Sequence, residues 1–108
     1  MPDIPTKDGY SIDPSAIDLA IHNLSQAEEM IFKLVDDIRT EVIVEGLNTW
    51  EDPYGEKLIG TIDAITTGLD QTLQTILNNE VALKKACNEL LAGTDSPYRY
   101  NETPSLQQ

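Results

Sequence analysis

The residues that could do chemistry are few in this 108-residue chain. His22 is the only histidine and Cys87 the only cysteine. One cysteine excludes an internal disulfide and a thiolate metal cluster. One histidine offers no partner for a two-histidine metal pair, so His22 reads as a structural or surface residue. Glu28-Glu29 and Asp36-Asp37 place carboxylates at helical spacing. The di-metal carboxylate pattern of helical bundles also needs histidines, and here they are missing. A charged outer face explains these acids better. No Ser/His/Asp or Cys/His set can be placed, and no glycine loop suited to cradling phosphate is present. The sequence therefore predicts a non-enzymatic protein with no cofactor and no metal.

The balance of 19 acidic against 7 basic side chains gives a net charge of -12. Such a surface repels phosphate backbones and anionic lipid, which makes nucleic acid and membrane poor partners. No apolar run approaches the ~20 residues needed to cross a bilayer. Met1-Pro2-Asp3-Ile4-Pro5 has neither the basic start nor the apolar core of a secretory signal peptide.

The elements are set by two repeated start signals, Asp13-Pro14 and Asp52-Pro53. An aspartate at the N-cap accepts from unpaired backbone N–H groups, and proline fits the first helical position. Residues 1–13 read as an extended arm and residues 14–92 as two long helices. Between the helices lies a bend at 47–52, holding the only tryptophan, Trp50, with Glu51 and Asp52. A connection this short forces antiparallel neighbours. The first helix, Pro14 to about Gly46, carries Ile17, Ala20, Leu24, Ala27, Ile31, Leu34 and Ile38 at alternating steps of three and four. The second, Pro53 to about Ala92, carries Leu58, Ile62, Ile65, Leu69, Thr72, Ile76, Asn79, Leu83, Ala86 and Leu90. These are heptad seams. A parallel row, Ile59, Leu73, Leu77, Cys87 and Leu91, broadens the second stripe. Gly55, Gly60 and Gly68 are candidate sites for close approach of another helix. Gly93 ends the second helix, and residues 93–108 read as a flexible tail.

Each helix would be roughly 50–60 Å long at about 1.5 Å per residue. Two helices make a rod whose apolar stripes exceed what the pair alone can cover. The fold class expected is thus all-α: an antiparallel two-helix hairpin that pairs into a four-helix bundle dimer.

At this point the chain resembles the small WXG proteins, the early-secreted-antigen-like helical hairpins exported by bacterial type VII secretion systems. Tyr10-Ser11-Ile12-Asp13-Pro14 is similar to the way their helices open. Leu47-Asn48-Thr49-Trp50-Glu51-Asp52-Pro53-Tyr54-Gly55 is similar to their bend. The family pattern is Trp, any residue, Gly, and Asp52 stands where the glycine is expected. Aspartate tolerates left-handed backbone and also caps helices, so the bend survives the change. The family carries a C-terminal export signal of Tyr, three residues, then Asp or Glu, which Tyr98-Arg99-Tyr100-Asn101-Glu102 fits. Pro97 separates that segment from the helix, pointing to a short turn of its own that orders on binding.

The resemblance implies a substrate or targeting partner of a type VII system. It would pair with itself, a related hairpin, or the helical N-terminal region of a larger toxin. Its tail would be read by the secretion ATPase complex, and it would be secreted after a cytoplasmic pool. The competing reading is a cytoplasmic helical adaptor or structural coiled-coil protein with no export role.

Overall fold

A computed structural model of the chain describes residues 3–6, 9–41 and 53–106. It is mostly helical, with two helices, and compatible with an all-α helical hairpin. Among the described residues there are, in chain order, two short strands, β1 (Ile4–Pro5) and β2 (Ser11–Ile12), then α1 (Pro14–Asp37) and α2 (Pro53–Ala92). The bend residues Trp50, Glu51 and Asp52 lie outside the described residues.

Both helices start at the proline that the sequence marks. At α1 the Asp13 carboxylate accepts from the backbone N–H of Ser15 at 3.0 Å and of Ala16 at 3.3 Å. Two of the three orphan donors of the first turn are thereby satisfied, since Pro14 brings none. The α-helical bonding of α1 stops at Asp37, and a wider π-helical turn follows over 38–41. The sequence pattern carried the helix on to about Gly46; residues 42–52 lie outside the described set. The end of α2 closes with tighter bonds, Gly93 N–H to Leu90 C=O at 3.2 Å and Thr94 N–H to Leu91 C=O at 3.0 Å.

The chain divides into two compact units. One comprises Met1–Gln26 with Ile76–Gln108, and the other Ala27–Thr75. In the first unit the arm folds into a small antiparallel pair, with Ile4 opposite Ile12 and Pro5 opposite Ser11. Gly9 takes φ of +85° in the turn between the strands, a conformation glycine adopts without a Cβ clash. Ile12 and Pro14 are buried. From α2 this unit buries Leu77, Glu80, Lys84, Cys87 and Leu91, at steps of three, four, three and four.

The second unit buries Val35 from α1 and Thr66 and Leu73 from α2, together with Glu28. Thr66 is buried at no cost in unpaired polarity, because its hydroxyl donates to the Asp63 carbonyl at 2.9 Å. Arg39 and Asp70 form an ion pair at 2.8 Å on the surface of this unit.

The internally packed row of α2 is offset from the predicted seam by about one residue. Leu58, Ile65 and Leu90 are exposed, whereas Ile62, Leu69, Ile76 and Leu83 are half-buried. In α1, Ile17, Leu24, Ile31 and Ile38 are half-buried and Leu34 is exposed, while Val35 is buried. Both rows of α2 satisfy heptad spacing, so periodicity alone does not say which one turns inward. A Cβ added at Gly60 or Gly68 meets nothing within 4 Å, so neither glycine serves a close approach among the described residues.

Candidate functional site

A dense cluster of polar interactions sits where residues 94–106 lie along the end of α2, all inside the first unit. Its base is Glu80, Lys84 and Asn88. Spacing of four places them along one helix face, where successive side chains are neighbours. Glu80 is fully buried and Lys84 is 7% exposed. They form an ion pair with each other. A buried charge persists only when paired and hydrogen-bonded. Glu80 therefore also accepts from the Ser105 backbone N–H at 2.9 Å and from the Ser105 hydroxyl at 2.7 Å. Lys84 Nζ donates to the Thr103 carbonyl at 2.7 Å.

Asn88 completes the row. Its Oδ1 accepts from the Tyr100 N–H at 2.7 Å, and its Nδ2 donates to the Tyr100 carbonyl at 2.8 Å. A side-chain amide carries the same donor and acceptor as a peptide group, so Asn88 pairs with Tyr100 as a neighbouring strand would. The same Nδ2 donates to the Glu102 carboxylate at 2.9 Å.

The segment stays out of helix for local reasons. Proline locks its own φ and biases the preceding residue away from helix, which Pro97 and Pro104 do to Ser96 and Thr103. Pro104 brings no N–H to satisfy. Side chains then cap the turn: Thr94 Oγ1 accepts from the Ser96 N–H, and Ser96 Oγ from the Tyr98 N–H.

Of the predicted export pair, Tyr98 is half-buried and Glu102 exposed. The Tyr98 hydroxyl donates to the Asp18 carboxylate of α1 at 3.3 Å. Its ring meets that of Tyr100 edge to face, with centroids 5.2 Å apart. Burial, reinforced by the Asp18 charge, pushes both phenols above the usual tyrosine value. Burial likewise raises the Cys87 thiol, which argues against a reactive cysteine. The tail that the sequence presented as flexible thus carries specific contacts to both helices. Among the seam residues, none takes part in this cluster.

Glu80, Lys84 and Asn88 were not among the candidates drawn from the sequence. A trace of them was present. The row Leu73, Leu77, Cys87, Leu91 has a gap between 77 and 87, and Glu80 and Lys84 fill it at the right steps. A charged pair standing in an apolar row is the signal for a buried partner.

A cleft of about 410 Å³ lies between Asp3–Thr6 and Gly93–Ser96 in the same unit. Among the described residues, no group of three or more His, Cys, Asp or Glu could hold a metal ion. No described helix is long and apolar enough to cross a membrane. No protein-family model, curated protein or solved structure matches the chain.

Proposed function

We propose that this chain is a non-enzymatic, WXG-like substrate or targeting partner of a type VII secretion system, with Tyr98 and Glu102 as its export signal. The observation that carries the reading is the placement of that pair. Both residues stand in the short non-helical segment that follows α2, the position at which the family resemblance puts the signal. Exposed apolar side chains add support for pairing with another hairpin. Leu34, Leu58, Ile65 and Leu90 keep heptad spacing yet are exposed among the described residues, and such rows favour association. The partner is a second copy, a related hairpin, or the helical N-terminal region of a larger toxin. The secretion ATPase complex reads the tail, and the protein leaves the cell after a cytoplasmic pool has formed.

Replacing Tyr98 and Glu102 together with Ala tests the signal. Export stops while helical content is unchanged. Normal export of the double variant removes the assignment and leaves the cytoplasmic adaptor as the better reading. Light scattering over a range of concentrations tests pairing. A purified chain that stays monomeric and fully helical at high concentration refutes self-pairing.

A further inference from the structure

The export pair is engaged by the chain's own side chains. Tyr98 is held by Asp18 of α1 and Glu102 by Asn88 of α2. In a helical turn, residues four apart share one face. Here the two side chains are tied to partners on two different elements. A receptor that grips both on one face must first break both contacts.

We propose that residues 98–105 form a releasable strap on α2, latched by Glu80, Lys84 and Asn88, and that the latched strap withholds the Tyr98/Glu102 pair from its receptor. The proposal rests on the reading of that pair as an export signal.

The chemistry of the latch suits opening without unfolding. Asn88 alone makes three of its hydrogen bonds. Thr103 and Ser105 are fastened at one point each along the helix, by Lys84 and Glu80. When the strap leaves, Glu80 and Lys84 keep each other as ion partners. Water then replaces the lost Ser105 and Thr103 groups, so no buried charge is stranded. The apolar row beneath, Leu77, Cys87 and Leu91, belongs to the helix and not to the strap. Opening therefore breaks these hydrogen bonds, uncovers the half-buried Tyr98 and Tyr100 rings and leaves α2 intact.

The test combines hydrogen exchange of the full chain with export from its native host. In the unaltered protein the Tyr100 and Ser105 amides exchange slowly. Asn88→Ala speeds exchange of the Tyr100 amide at least about tenfold, the worth of one ordinary hydrogen bond among the three it removes, leaves α2 protection unchanged, and raises the exported fraction. Ser105→Pro removes both donors to Glu80 from a site outside the helices. It acts in the same direction should Asn88→Ala disturb folding.

Tyr100 and Ser105 amides that exchange at free-peptide rates in the unaltered protein overturn the latch. Opening variants whose export is equal or reduced, while the Tyr98→Ala/Glu102→Ala variant stays blocked, overturn withholding and leave the signal in place. Normal export of the Tyr98/Glu102 double variant overturns the signal reading itself, and withholding with it. Tail protection in the unaltered protein then still reports the latch.

Discussion

The two compact units bury different things. Unit 1 encloses a charged pair and satisfies it with a segment that is not helical at all. Unit 2 encloses Val35, Leu73, a self-satisfied Thr66 and the acidic side chain of Glu28, and keeps its one described ion pair on the surface. The outer faces differ in the opposite sense. Of the nine large apolar residues exposed among those described, Met30, Phe32, Leu34, Tyr54, Leu58 and Ile65 belong to unit 2. A buried hydrogen-bonded pair specifies one arrangement, since few alternatives satisfy every group. An apolar stripe with surplus width specifies little beyond association. Unit 1 thus uses its polar groups to hold its own chain in one place, whereas unit 2 carries most of the exposed apolar side chains.

The comparison breaks most easily at Lys84. Lys84→Met keeps the length of the stem but removes the cation from beside a fully buried carboxylate. It should cost about 3–5 kcal/mol, read by chemical denaturation, with exchange rising first in unit 1. A loss below about 1 kcal/mol would mean that Glu80 is wet. Leu73→Ala tests the other unit. Leu73 is fully buried, and its truncation should cost about 2–4 kcal/mol, with exchange rising first over residues 27–75.

Gly60→Ala and Gly68→Ala each meet open space. Each should stabilise the chain by about 0.5–1 kcal/mol through helix propensity. Loss of native mass in light scattering, despite that gain, would identify the glycines as the contact face of a partner. The smallest effect belongs to Arg39→Ala. Its pair with Asp70 is largely solvent-exposed, so screening leaves less than about 0.5 kcal/mol, and the difference should vanish at high salt.

The sequence carried the helices well because their signals are local. Asp13-Pro14 and Pro53 name the starts, and Gly93 the end, through chemistry confined to a single turn. The rotation of α2 was not legible in the same way. Leu58, Ile65 and Leu90 form one row and Ile59, Leu73 and Leu91 another. Both have the correct steps, and the choice between them depends on what lies opposite. The strap was hidden for a related reason. Glu80, Lys84 and Asn88 read as ordinary solvated residues until residues 100–105 are laid against them. That pairing spans up to 25 positions in sequence, and its one periodic trace is the gap in the apolar row that Glu80 and Lys84 fill. Tyr98 and Glu102 stood out through resemblance, whereas the groups that hold them did not.

Cys87 gives the molecule a built-in stopwatch. It is the only thiol in the chain, it is buried beside Asn88, and burial disfavours its thiolate. A maleimide or disulfide reagent therefore reacts in proportion to how often the end of α2 breathes. Alkylation kinetics on the unmodified protein count those openings directly, with no engineered label and no second cysteine to confuse the trace.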